Sequence, residues 1–351
     1  MNVLELLVAL VVILVAAELF TNGIEWFGHK LNLAEGAVGS VLAAVGTALP
    51  ETMIPLVAII ASTRADDPSI TQHIGVGAIL GAPFMLSTLA MFVTGLGVIG
   101  WARRRRSGRQ MVVDTRVLGM DVRYFFVAYA IAIAAALVPS DLSFLRYGAV
   151  VAVLGIYAWY VKSHFEADPN VDAADLAPLR FRRVDVLHHR VLPEAPRLRM
   201  VSVQVLVALA MIVGGAIVFV DAVEHLAAGL DPGLLALVVA PIATELPEKF
   251  NSLIWVRQGK DTLAMGNITG AMVFQACIPT AIGILLAAQA WTLNAGSLLS
   301  FVSAGIAFAS MAAIFLPMVR RQSLSGGHLL VGGLFYVAYV GLVLARLSGL
   351  L

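Results

Sequence analysis

The sequence predicts an all-α, polytopic membrane protein of ten transmembrane helices arranged as two inverted five-helix repeats. Three observations predict it. The 351-residue chain is 60% hydrophobic and only 13% charged, against about 45–50% apolar residues in a soluble domain, and its mean hydropathy is +0.91. Charged or Pro/Gly-rich breaks separate ten apolar runs, most of them near the ~20 residues that cross a hydrocarbon core of about 30 Å. Two of these runs carry the same acidic motif, Gly46-Thr47-Ala48-Leu49-Pro50-Glu51 and Ala243-Thr244-Glu245-Leu246-Pro247-Glu248.

In chain order, the first run, 3–22, is Val, Leu, Ile and Ala around Glu5 and Glu18. The second, 36–61, holds the first acidic motif and stops before Arg64. The third, 74–99, ends ahead of the basic stretch Arg103 to Arg106. The fourth, 124–138, is short and closes at Pro139, and the fifth, 141–161, ends at Lys162. The sixth, 200–224, follows Arg197 and Arg199; the seventh, 233–256, holds the second motif and stops before Arg257. The eighth, 263–288, contains Asn267, Gln275 and Cys277. The ninth, 291–318, ends ahead of Arg320 and Arg321, and the tenth, 328–346, reaches Arg346. Cys277 is the single cysteine, so no internal disulfide forms, and its apolar setting makes it buried filler. The first 28 residues lack Lys and Arg, which argues against a cleavable signal peptide.

Positive charge predicts the orientation. Of 23 Lys and Arg, 19 fall in alternate loops if the N-terminus is outside: Lys30, the seven from Arg103 to Arg123, the seven from Lys162 to Arg199, Arg257, Lys260, Arg320 and Arg321. Both termini are therefore expected outside a cytoplasmic membrane, with the basic loops in the cytoplasm. Topology accounts for these arginines, so the net charge of +1 gives no reason to expect a nucleic-acid partner. The Arg103 to Arg106 cluster reads as a stop-transfer signal or a binder of anionic lipid head groups. Lipids and inorganic cations are the expected partners, and the expected state is a monomer.

The polar segment 163–199, with Pro169, Pro178, Pro193 and Pro196, divides the first five-helix repeat (1–162) from the second (200–351). It is too short for an independent core. Its His164, His188 and His189 have no metal-ligand spacing with a cysteine or regular carboxylates, so the segment reads as a solvated cytoplasmic linker.

Similarity between the halves extends beyond the motif. Phe20-Thr21-Asn22-Gly23-Ile24-Glu25 matches Phe219-Val220-Asp221-Ala222-Val223-Glu224, and Gly77 and Gly81 match Gly266 and Gly270. An odd number of spans per half inverts the second against the first, which in transporters puts the substrate site near the midplane, where broken helices meet. Pro50 and Pro247 supply the breaks, because each removes an amide donor and clashes with the carbonyl four residues back. Freed carbonyls there can bind a cation if they face protein or water. An ionised glutamate at midspan costs roughly 3 kcal/mol by insertion scales, so Glu51 and Glu248 point to a function.

At these residues the chain resembles the calcium/cation antiporter superfamily, the membrane region of sodium/calcium exchangers. Gly46, Thr47, Leu49, Pro50 and Glu51 match its Gly-Thr-Ser-Leu-Pro-Glu signature, and Thr244, Leu246, Pro247 and Glu248 match the second copy. The resemblance implies ten helices and makes Glu51 and Glu248 the central cation ligands. The chain departs from the family's Gly-Asn-x-x-Gly-Ser-Asn signature at Ala78, Ala82 and Pro83 in one half. In the other it keeps Asn267 but has Ala271 and Met272, with Gln275 where another Asn is usual. A thioether is no ligand for a hard cation.

Two carboxylates can neutralise one Ca²⁺ or be shared by monovalent ions or protons. Calcium takes about 6–8 oxygens, and Thr47, Thr244, Asn251, Gln275 and water are candidates for the rest. Glu245 and Lys249 stand in the order of a helical i,i+4 ion pair; alternatively Lys249 is a tethered cation that replaces one bound ion. Glu18, Glu25, Asp221, Glu224 and His225 lie towards helix ends, where hydration or an ion-entry role applies. The expected function is secondary antiport of Ca²⁺ against Na⁺ or H⁺, with Na⁺/H⁺ exchange or a transport-inactive scaffold as alternatives. No midspan His, activated nucleophile or zinc set accompanies the glutamates, so the chain is expected not to be an enzyme and to need no cofactor.

Overall fold

The computed structural model describes residues 2–31, 40–42, 44–61, 68–139, 142–165, 176–184, 196–227, 252–253, 255–294 and 296–348. Among these residues eight helices are long and apolar enough to cross a bilayer, and a bent pair makes a ninth. The run predicted over 233–256 lies almost wholly outside the described residues.

Helix α1, Asn2–Lys30, continues past its predicted end because Ile24, Trp26 and Phe27 prolong the apolar pattern. It lies antiparallel to α7, Leu198–Ala227. Ile13 meets Gly215 near one end of the pair and Val205 meets Gly23 near the other, with Ala16, Phe20, Ala208 and Ile212 buried between. Leu4, Leu7, Val8, Val11 and Val15 stay exposed along α1, spaced as one helical face for lipid.

Helix α2, Ala44–Ala61, is bent. Its halves, Ser40–Leu49 and Glu51–Ile60, meet at 45°, with Pro50 at the joint as the missing amide requires. The third span joins α3, Pro68–Met85, through a π-helical turn at Leu86–Ala90 to α4, Met91–Gly100. Pro83 lies within α3 just ahead of that turn. Hydroxyls satisfy carbonyls at this defect: Thr88 Oγ1 and Ser87 Oγ donate to Phe84 O at 2.6 and 2.9 Å, and Ser310 Oγ donates to Ser87 O at 2.6 Å.

Helix α5, Thr115–Ala134, begins nine residues earlier than the predicted 124–138. Asp114 caps it, accepting from the amides of Arg116 and Val117 at 2.8 and 3.2 Å. Arg116, Asp121 and Arg123 lower the hydropathy of its first turns, yet Leu118, Val122 and Phe125 are buried there. Helix α6, Phe144–Phe165, extends into the predicted linker. His164 is therefore a buried helical residue and not part of a solvated loop.

The described part of that linker is also held. Residues 176–184 strap the ends of α1 and α7. Trp26 Nε1 and Asn22 Nδ2 donate to Ala177 O at 2.8 and 3.2 Å, and the amides of Arg180 and Phe181 donate to Asn22 Oδ1 and Gln204 Oε1 at 3.0 and 2.8 Å. Leu179 is buried beside Trp26 and Val201.

Helix α8, Asp261–Leu286, is the axis of the bundle, buried almost throughout and packed on α2, α3, α5 and α6. Cys277 sits inside it, wholly buried. Gly270 touches the chain at Ser40: a Cβ at Gly270 would lie 2.1 Å from the Ser40 carbonyl oxygen. Backbone cannot rotate aside as a side chain does. Gly270→Ala is therefore expected to destabilise the protein by about 3 kcal/mol, more than its gain of about 1 kcal/mol in helix propensity. Thermal unfolding in detergent measures it, and an unchanged midpoint would contradict this packing.

Helix α9, Leu298–Arg321, starts later than the predicted 291–318 because residues 287–294 form turns and bends that bury Trp291, whose Nε1 donates to Ala132 O at 3.0 Å. The last span joins α10, Gly326–Leu329, to α11, Val331–Leu347. A two-residue antiparallel bridge pairs β1, Gln110–Met111, with β2, Leu324–Ser325.

The arginine cluster is not uniform. Arg103, Arg104 and Arg106 are exposed, whereas Arg105 is buried, so a lipid-facing role does not describe it. Arg105 Nη1 and Nη2 donate to the two carboxylate oxygens of Asp261 at 2.8 and 2.6 Å, and both side chains are 1% exposed. Val256 O, Gln110 O and Gly108 O accept further bonds from the guanidinium, and Val112 N donates to Asp261. Gly108, at φ +61°, makes the tight turn that brings the loop back around Arg105.

Candidate functional site

Glu51 sits on α2 immediately after the bend and is buried, 6% exposed. One turn earlier, before Pro50, Thr47 Oγ1 donates to Asn267 Oδ1 at 3.1 Å and lies 3.3 Å from Ala44 O. That contact joins α2 to α8. Asn267, Ala271 and Gln275 recur every four residues on α8, so the two amides share one face. Gln275 is buried, and neither atom of its amide has a hydrogen-bond partner among the described residues. A buried amide left unpaired costs about 1–3 kcal/mol, so a polar atom aimed at nothing calls for a ligand or a partner elsewhere.

The structure thus brings Thr47 and Asn267 together, with Glu51 beyond the bend and Gln275 further along the same face of α8. Thr244, Glu245, Pro247, Glu248, Lys249 and Asn251 lie outside the described residues, as do the side chains of Glu224 and His225. Glu18 and Asp221 are exposed at helix surfaces, and Glu18 pairs with Arg180 at 2.5 Å. Among the described residues no group of three or more His, Cys, Asp or Glu could hold a metal ion.

A second polar centre was not found from sequence. Asp121 on α5 is fully buried and lies within hydrogen-bond distance of four side chains on or ahead of three other helices. Ser40 Oγ and Thr269 Oγ1 approach its Oδ2 at 3.2 and 2.5 Å, while Tyr160 OH and His164 Nε2 approach its Oδ1 at 3.0 and 3.1 Å. Tyr160 OH also lies 3.0 Å from Ser40 O. Hydropathy hides this centre by assigning Asp121 to a loop. The available signal is its spacing: Leu118, Val122 and Phe125 fall three or four residues either side of it, or next to it, as on a helix face.

A family model described as "Sodium/calcium exchanger protein" matches residues 1–162 and 200–347. The chain belongs to the sodium/calcium exchanger family. It is 23% identical over 348 residues, 95% of each sequence, to the protein named "Putative antiporter CaxA" of Alkalimonas amylolytica. In fold it is similar to the crystal structure of the H⁺/Ca²⁺ exchanger CAX, with TM-score 0.73, 16% identity and coverage of 97% of this chain and 82% of that one. It is also similar to a structure of the sodium-calcium exchanger NCX_Mj, with TM-score 0.63, 17% identity and coverage of 97% and 99%. Within this exchanger family the chain is a multi-pass, all-α membrane protein.

Proposed function

We propose that this chain is a secondary active antiporter that exchanges Ca²⁺ for Na⁺ or H⁺ by alternating access. Its site lies at the midplane and is formed by Glu51 and Glu248, one from each inverted five-helix half. Thr47, Thr244, Asn251 and Gln275 supply further oxygens. Pro50 and Pro247 break their helices so that backbone carbonyls face the ion. The observation that carries this reading is the burial of Glu51 at a 45° bend inside a membrane-spanning helix. Ionisable residues within membrane spans are rare and mark ion pathways.

The exchange step follows from competition. One pair of carboxylates cannot hold Ca²⁺ and its coupling ions together, and empty they would face one another as like charges in a poorly solvated cavity. Only a loaded carrier crosses easily. The i,i+4 order of Glu245 and Lys249 favours their neutralising one another over Lys249 replacing a bound ion. Both termini lie outside the cytoplasmic membrane, and the monomer suffices for transport.

Monovalent cation/proton exchange is the second reading. Ala78, Ala82 and Met272 stand where the family signature gives polar residues, leaving fewer oxygens for a calcium shell. Reconstituted liposomes loaded with Ca²⁺ and challenged in turn with Na⁺ and pH gradients separate the two. Calcium efflux accelerated by one gradient identifies the coupling ion. Sodium–proton exchange with no calcium movement would establish the second reading, and no flux at all would leave a transport-inactive scaffold.

A further inference from the structure

We propose that Asp121 is a positioning residue for the cation site. One oxygen of its carboxylate fastens the first half of the bent second span to α8, and so fixes Thr47 where a transported cation would meet it. The proposal rests on the antiport reading above and adds a residue that acts on the site without touching the ion.

The first half of the span needs an anchor outside itself. Ser40–Leu49 meets Glu51–Ile60 at 45°, with Pro50 at the joint. A proline there removes one helical hydrogen bond and sets its ring against the carbonyl four residues back, so the second half does not hold the first in line. Two contacts hold it instead, and both fall within one turn of α8. Near one end Thr47 Oγ1 donates to Asn267 Oδ1 at 3.1 Å. At the other, Ser40 fits against Gly266 and Gly270, where an added Cβ would lie 2.8 Å from Ser40 Oγ and 2.1 Å from Ser40 O. Ser40 and Thr47 are about 10 Å apart along a helix axis, so a displaced head tilts the half-helix and moves Thr47 off Asn267.

The glycines permit this close approach, and Asp121 enforces it. Its Oδ2 accepts from Ser40 Oγ at 3.2 Å and from Thr269 Oγ1 at 2.5 Å, so a single atom bridges the head of the bent span and α8. Its Oδ1 faces Tyr160 OH and His164 Nε2 on α6 at 3.0 and 3.1 Å, and Tyr160 OH also lies 3.0 Å from Ser40 O. All five residues are buried, which keeps bulk water from competing for these bonds. A carboxylate suits the place because it only accepts and offers about four lone-pair sites. No hydrogen bond joins Asp121 to Thr47 or Asn267, so its influence passes through Ser40 and Thr269.

Flux kinetics of the full-length protein in liposomes test this, with Ca²⁺ as the varied ion, or Na⁺ if sodium–proton exchange is found. Asp121→Leu, similar in size and without an acceptor, is expected to raise the half-saturating ion concentration about tenfold, the lower range for loss of a partner behind a metal ligand. Its maximal rate should stay close to wild type. A role confined to stability would instead lower the unfolding midpoint and the amount of active protein while leaving half-saturation unchanged. Asp121→Asn is expected to restore most of the affinity, because its amide oxygen can face Ser40 and Thr269 while its NH₂ turns to the His164 ring, whose nitrogen can accept. In the Asp121→Leu background Ser40→Ala should add nothing, since the bond it deletes is already gone.

An unchanged half-saturating concentration in folded Asp121→Leu overturns the proposal, as does a loss confined to maximal rate or an Asp121→Asn variant no better than Asp121→Leu. If Asp121→Leu does not fold, Ser40→Ala and Thr269→Val each remove one bond to Oδ2 and must weaken affinity by a smaller factor; silence in both overturns it equally. Hydrogen exchange in detergent separates this failure from that of the antiport reading. The peptide containing residues 40–49 is expected to exchange about threefold faster in Asp121→Leu, or in Thr269→Val if the former does not fold, with residues 331–347 unchanged. If no gradient drives flux in the wild type, the antiport reading fails by itself. Exchange unaltered in residues 40–49, or raised alike in both peptides, would then show that Asp121 does not place the half-helix.

Discussion

Glu51→Gln is expected to reduce cation-driven flux in proteoliposomes by roughly 100-fold or more, since losing even an outer-shell partner of a metal site typically lowers affinity or activity 10- to 100-fold. The substitution keeps side-chain volume and hydrogen-bonding capacity and removes only the charge. Glu51 is buried just after the bend in the second span, with no bulk water to replace its contribution to a bound cation. Insertion and folding should survive, because a neutral amide is easier to place in a bilayer than a carboxylate. A single symmetric peak on size exclusion and an unchanged unfolding midpoint would confirm this. Glu51→Asp should retain partial flux with weaker cation affinity. Full flux in Glu51→Gln would show that the bend holds no essential ligand.

The second large effect concerns stability. Removing one partner of a buried ion pair leaves the other charge uncompensated, which costs about 3–5 kcal/mol. Arg105 and Asp261 are 1% exposed and joined by two bonds, at 2.8 and 2.6 Å. Arg105→Met or Asp261→Leu alone is therefore expected to lower stability by about 3–5 kcal/mol, read as a fall in the unfolding midpoint in detergent. The double substitution should be milder than the sum of the two, because no charge is left buried, and that non-additivity measures the coupling. Additive effects would mean that loop contacts, and not the pair, hold the first turn of α8.

The two charge networks differ in how they could be read. Apolar runs announced most spans, and Pro50 announced the bend, because both follow from local chemistry. The start of α5 was hidden, since Arg116, Asp121 and Arg123 resemble loop residues until a fold supplies partners for Asp121 from three other segments. Arg105 was masked by three arginine neighbours that really are exposed. Its distinction is an acid at Asp261, which no local pattern connects to it. Thr47 was legible as part of a motif, but its partner Asn267 was recognised only as a surviving amide, because a pairing across 220 residues is a property of packing. His164 was assigned to the linker by its polar neighbours, yet Tyr160 and His164 stand four residues apart on one face of α6. Polarity alone does not distinguish a wet loop from a dry network.

Cys277 is the sole thiol of the chain and is wholly enclosed within α8. The unaltered protein is thus already a silent background for thiol-reactive reporters. Pairs of cysteines introduced at exposed positions such as Val11 on α1 and Trp159 on α6 could carry spin labels or fluorophores while the native sulfur stays unmodified. Distance changes during turnover could then be followed without first disturbing the helix against which α2, α3, α5 and α6 pack.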